Sequence, residues 1–293
     1  QFVSAHTPGV VLWIGEPPAS KVLTQWVSSL DAFKIHISST PSVIDPQHSN
    51  NLSVNGDVGL MCERLVPLVR ASSKEWLLSW QKAETAAQKA IAAWTAENFS
   101  EPTVARVLTS SLAVGEQLVI SSSMPIRDVE WFGSVTSGVT VHSNRGANGI
   151  DGVVSTAVGV ALGSGSPTSL LIGDVALLHD VNGLLALNRR TLDMSIVVTN
   201  NDGGSIFSFL PQAEHLDRAT FELLYGTPHG VSFEHVAKTY GLSYFCATDE
   251  ESLRDALAQS GTKIVEVVLD RTVNVSQHDE LNSSIAAAVI ATA

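Results

Sequence analysis

The chain has 293 residues, with 17 Lys and Arg against 29 Asp and Glu, a net charge of −12; 44% of its residues are hydrophobic and only 16% charged. That balance excludes an intrinsically disordered chain, which is charge-rich and apolar-poor. It also disfavours nucleic acid as a partner, because an acidic protein lacks the basic footprint that phosphates need.

The length suits one large or two ordinary domains. Residues 1–95 read as one compositional unit. Val10–Ile14 is a buried strand closed by Gly15. Ser20 caps a helix that runs to Leu30, with Val22, Leu23, Trp26, Val27 and Leu30 at helical spacing. Phe33–Ile37 is a second strand, and residues 38–55, rich in Ser, Pro, Asn and Asp, form a loop. Glu75–Thr95 is an Ala-rich helix whose Trp76, Trp80 and Trp94 suit core packing. Glu101-Pro102 marks a break before a short helix over Thr103–Ser111. From Gly115 strand and helix signals alternate. Strands are expected at 117–121, 140–143, 169–173, 194–199 and 263–269, and helices at 149–163, 176–190, 231–240 and 250–258. The alternation implies an α/β fold, a layered parallel sheet flanked by helices, preceded by a smaller α/β domain.

Cys62 and Cys246 are the only cysteines, 184 residues apart, which is no disulfide framework and suits a reducing compartment. No run of 18 apolar residues is present, so no membrane span is expected. Position 1 is Gln, and a strand-like run begins within ten residues. The chain therefore reads as a piece of a longer protein, expected in the cytoplasm. His229, Glu234 and His235 lack the His-Glu-x-x-His order of a metalloprotease and read as a helix start.

The stretch Thr168-Ser-Leu-Leu-Ile-Gly-Asp174, a helix, and then Ser195-Ile-Val-Val-Thr-Asn-Asn201-Asp-Gly-Gly204 carries the chemistry. Parallel strands end on one edge, so Asp174 and Asn201 meet where open α/β sheets bind ligands. A carboxylate, an amide oxygen and a loop carbonyl are hard ligands suited to Mg²⁺ held partly by substrate phosphates. Helix amides near Ala176 favour a diphosphate. On spacing alone, an ordinary βαβ unit with a turn-forming Asn-Asn-Asp-Gly-Gly accounts for the same residues.

Gly173-Asp174 followed by Asn201 resembles the metal-diphosphate motif of thiamine diphosphate enzymes, with Val175 where that family has Gly. Four longer segments are similar to one branch, the menaquinone-pathway synthases that make 2-succinyl-5-enolpyruvyl-6-hydroxy-3-cyclohexene-1-carboxylate (SEPHCHC). They are Ser122-Ser-Met-Pro-Ile-Arg127-Asp, Ser143-Asn-Arg145-Gly-Ala-Asn-Gly-Ile150-Asp-Gly152, Asp174-Val-Ala-Leu-Leu-His-Asp-Val-Asn-Gly183 and Asn200-Asn-Asp-Gly-Gly-Ser-Ile-Phe207-Ser-Phe-Leu-Pro211. Residues 1–95 resemble the middle domain of that branch, and 96–293 its cofactor-binding domain.

The resemblance implies thiamine diphosphate and Mg²⁺ (or Mn²⁺), with Asp174, Asn201 and the Gly203 carbonyl as metal ligands. Ser123 and the backbone at Gly173, Val175 and Ala176 would hold the diphosphate. Ile150 would buttress the bent cofactor, and Ile206, Phe207 and Leu210 would form an apolar wall. Arg127 and Arg145 would take the carboxylates of 2-oxoglutarate and isochorismate, which guanidinium forks match in bidentate fashion. Lys21 matches a basic position of the middle domain, although its usual basic neighbour is Val22 here.

The activating Glu of these enzymes belongs to an N-terminal domain that no segment of residues 1–100 resembles. The chain is thus expected to hold the diphosphate half of a site completed by that missing N-terminal half. It would act within a homodimer or tetramer and be inactive alone. Two alternatives stay open: another 2-oxoacid enzyme of the acetolactate synthase or decarboxylase type, or a non-catalytic cofactor-binding module.

Overall fold

The computed structural model describes residues 2–16, 20–40, 45, 47–70, 73–134, 136–144, 149–187 and 190–292. Contacts divide the chain into two units, residues 1–90 with 285–293, and residues 91–284. The expected boundary at 95 falls inside the helix Glu75–Glu97, and the C-terminal residues group with the first unit.

The first unit holds three parallel strands, β1 (Val10–Ile14), β2 (Phe33–Ser38) and β3 (Leu52–Asn55), in the order β1-β2-β3. β3 lies in the segment expected to be a loop. Its pairing starts at Asn51, whose side chain accepts the Lys34 N–H at 2.8 Å and whose own N–H donates to the Lys34 carbonyl. β1 is an edge strand, not a buried one: Val10, Leu12 and Ile14 are about half exposed. Packing centres on the rings of Phe2, His6, Trp26 and Trp80, while Trp76 stays half exposed at the margin.

The second unit is built on six parallel strands: β4 (Gln117–Ile120), β5 (Thr140–Ser143), β6 (Thr168–Gly173), β7 (Met194–Asn200), β8 (Ser243–Ala247) and β9 (Lys263–Val268), in the order β5-β4-β6-β7-β9-β8. β6, β7 and β9 are buried on both faces, which is why Leu170-Leu-Ile172, Ile196-Val-Val198 and Ile264-Val265 read as continuous apolar runs. One face is covered by the helices Val153–Ser164 and Phe233–Tyr240, the other by Glu101–Ser111 and Glu250–Ala258. β8 gave no strand signal because it is an edge strand with only Ala247 fully buried.

The helix expected over 176–190 is an α-helix only over Asp174–His179, followed by a tighter turn over Val181–Leu187. Asp180 leaves the helix to accept the N–H and hydroxyl of Ser155, and a side chain at Gly183 would meet Ser155 Oγ at 2.8 Å. Close approach of the neighbouring helix therefore ends this one.

Candidate functional site

β4 passes to β5 on one side, and the chain then returns across β4 to β6 on the other. This reversal leaves a crevice at the carboxyl ends of the strands. A cavity of about 390 Å³ opens there, lined after β4 by Ser122–Pro125, after β6 by Gly173–Ala176, and after β7 by Asn201 and Gly203–Phe207, with Glu101, Gly149 and Ile150.

Asp174 follows β6 directly and is 1% exposed. Its Oδ2 accepts the backbone N–H of Gly203 at 2.9 Å and of Asn201 at 3.2 Å, while Oδ1 accepts the Val175 N–H at 2.7 Å. The tips of adjacent strands thus bring Asp174 and Asn201 together. Burial pushes the Asp174 carboxyl above its ordinary range, and these N–H donors pull it part of the way back. His229 Nε2 lies 3.2 Å from Oδ2. His229 Nδ1 accepts the Val231 N–H at 3.0 Å, which leaves Nε2 turned toward the carboxylate without a hydrogen bond to it.

The loop can wrap the carboxylate only because it is glycine. Gly203 has φ +138°, and a Cβ there would stand 1.9 Å from the Gly226 carbonyl oxygen. The side chain of Asn201 gives its amino end to Glu101, Nδ2 to Oε1 at 2.7 Å, and leaves Oδ1 buried with no hydrogen-bond partner. A buried acceptor without a donor is costly unless a ligand supplies the partner. Among the described residues no group of three His, Cys, Asp or Glu side chains could hold a metal ion. The donors at hand are a carboxylate, an amide oxygen and the Gly203 carbonyl. That set fits a hard cation which completes its shell with ligand oxygens and water.

Glu101, read from the sequence only as a break, stands in this cavity 3% exposed. Burial and the nearby Asp128 charge push its carboxyl up to about 7, against the opposing pull of the Asn201 and Asn274 amides and of His278. The signal was present: Glu101 shares a helical stripe with Val104, Ala105, Leu108 and Leu112, all buried. Behind it, His278 Nδ1 donates to the Asn274 carbonyl, and Nε2 lies 2.8 Å from Asp128 Oδ1. Burial raises the Asp128 carboxyl. Burial would lower the His278 imidazole, but the Asp128 carboxylate carries it above its usual value. Asn274 donates to Ser205 Oγ, so the helix Arg271–Ile290, which carries both Asn274 and His278, fastens the cavity loop as well.

Ser123 precedes the helix Met124–Phe132 with φ +77° and ψ −134°, a backbone region natural to glycine, and lines the cavity. Strain of this kind persists where surrounding structure enforces it. Arg127 Nη1 donates to the Ser123 carbonyl at 2.6 Å. Among the described residues it has no ion pair, because Asp128 turns inward to His278. Ile150 lines the cavity against the apolar core, and Ile206 and Phe207 form its wall. Leu210 is 40% exposed, ends the turn Ser205–Phe209 and is not part of that lining. Arg145 lies outside the described residues. Lys21, in the first unit, opens the helix Lys21–Ser29 and is exposed.

Residues 133–270 match the family model of the thiamine pyrophosphate enzyme C-terminal TPP binding domain. The chain is 39% identical over 98% of its length to the SEPHCHC synthase of Myxococcus xanthus, and 41% identical over 96% to that of Rubrobacter xylanophilus. Over nearly its whole length the chain is similar to SEPHCHC synthases. It spans about half the length of the curated relatives it matches. Among solved structures, benzoylformate decarboxylase from Polynucleobacter necessarius is similar with a TM-score of 0.64 at 16% identity, over 89% of this chain and 49% of that one. That likeness concerns the α/β fold alone. Among the described residues no helix is long and apolar enough to cross a membrane.

Proposed function

We propose that this chain carries the diphosphate- and metal-binding half of a thiamine diphosphate- and Mg²⁺-dependent synthase of menaquinone biosynthesis. Its reaction decarboxylates 2-oxoglutarate and adds the succinyl unit to isochorismate. The supporting observation is Asn201 Oδ1, buried without a partner, beside the Asp174 carboxylate at the tips of neighbouring strands. Asp174, Asn201 and the Gly203 carbonyl would hold the cation, and Ser123 with the amides of Val175 and Ala176 would face the diphosphate. Once bound, thiamine diphosphate supplies a thiazolium carbon that accepts the electron pair released by decarboxylation. Ile150 would support the cofactor from below. Ile206 and Phe207 exclude water beside the reacting carbon, which favours loss of the charged carboxylate.

Arg127, which forms no close ion pair among the described residues, is assigned to a substrate carboxylate, a role Arg145 would share and to which Lys21 is a weaker addition. The activating Glu would come from the missing N-terminal half, and the assembled enzyme would be a homo-oligomer. The chain alone should therefore bind cofactor without turnover. Calorimetric titration with thiamine diphosphate is expected to give saturable binding that requires Mg²⁺ and is lost in Asp174→Ala. Turnover of 2-oxoglutarate with isochorismate should appear only when the missing half is added. Metal-independent binding, or no binding at all, overturns the proposal.

A further inference from the structure

We infer that Glu101 is a positioning residue for the metal site: its carboxyl holds the amino end of Asn201 and so turns the amide oxygen toward the cation. The inference rests on the function proposed above. An asparagine amide has two ends of nearly equal shape and opposite chemistry, and only the oxygen end can bind a cation. Little else distinguishes the two orientations of Asn201 in this cavity. Glu101 does so as a carboxylate, whose oxygens can only accept, and the Asn201 Nδ2 at 2.7 Å donates to one of them. Flipping the amide would set two oxygens against each other at that distance. Both residues are more than nine-tenths buried, so water cannot replace the lost bond.

Glu101 is itself held from behind. Its helix is anchored on the core by Val104 and Leu108, and the buried Asp128, Asn274 and His278 act on its carboxyl. Glu101, Asp128, Asn274 and His278 all lie outside residues 133–270, the segment shared with the general cofactor-binding family. The orientation of a ligand inside that segment is therefore decided by residues on either side of it.

Equilibrium dialysis of Mn²⁺ against the full chain, with thiamine diphosphate on both sides of the membrane, tests this. Glu101→Met removes the acceptor and leaves the Asn201 amino end buried against an apolar side chain, which favours the flip that turns that end toward the cavity; with the oxygen-out orientation reduced to a tenth or less, Mn²⁺ retention is expected to weaken tenfold or more. Glu101→Gln keeps a carbonyl that accepts the same N–H and should stay within about threefold of wild type. Asn201→Asp presents an oxygen whichever way it turns, so adding Glu101→Met to Asn201→Asp should cost nothing. The role is overturned if Glu101→Met binds like wild type, if Glu101→Gln is as weak as Glu101→Met, or if Glu101→Met costs as much beside Asn201→Asp as it does alone. Failure of the wild-type chain to retain Mn²⁺ is a different result. It removes the proposed function, and this inference falls with it.

Discussion

Replacing Glu101 by Gln changes one proton-binding group and almost nothing of its shape, which isolates the energetic cost of burying this carboxyl. The native chain holds the Glu101 proton up to about pH 7, against an ordinary 4.5. An acid raised on folding makes the native state bind protons more tightly than the unfolded state, so stability falls as pH rises from 4.5 through 7. At 1.36 kcal/mol per pH unit, that interval amounts to about 3 kcal/mol.

Asp128 and His278 are also raised and act in the same direction, but both remain in the variant. The surface carboxyls Asp45, Asp202, Asp217, Asp249 and Asp270 are lowered, so their contribution is present above pH 4 and is lost only in acid, outside this window. Urea unfolding followed by far-UV circular dichroism should give nearly equal stabilities for wild type and Glu101→Gln at pH 4, below the unfolded-state value of 4.5. At pH 8 the variant should be more stable by about 3 kcal/mol. Parallel pH profiles would show that Glu101 titrates as an ordinary surface acid, and would refute the burial argument.

Gly203→Ala forces a Cβ to within 1.9 Å of the Gly226 carbonyl at a positive φ. It should cost about 3 kcal/mol in urea unfolding and abolish Mg²⁺-dependent binding of thiamine diphosphate. Arg127→Ala in the assembled enzyme should raise the KM for 2-oxoglutarate or isochorismate by tenfold or more, the loss of a charge-assisted bond, with cofactor affinity unchanged by calorimetry. Phe233→Ala empties a fully buried position of the core and should lower urea stability by about 3–5 kcal/mol without changing the pH dependence assigned to Glu101.

Much of this protein is determined locally. The apolar runs of β6, β7 and β9 fix buried parallel strands, because alternation disappears when both faces are covered. The positions of Asp174 and Asn201 at the ends of two such strands place them side by side before any side chain is built, and Gly203-Gly204 marks where the backbone must bend sharply. Two of the four edge strands, β3 and β8, were not expected: they are largely exposed and carry mixed residues, so only pairing with a neighbour makes them strands.

The second layer of the site was decided by tertiary structure alone. A glutamate in a first helical turn reads as a solvated residue favoured by the helix dipole. Helical spacing puts Glu101 on the buried stripe of Glu101–Ser111, but only the packing of that helix against the sheet brings its carboxyl to Asn201. The contact joins residues 100 positions apart, and the Asp128–His278 pair joins residues 150 apart. No local spacing encodes such pairs. They exist because helices from before and after the central strands converge at one end of the sheet, where burial turns ordinary polar side chains into partners.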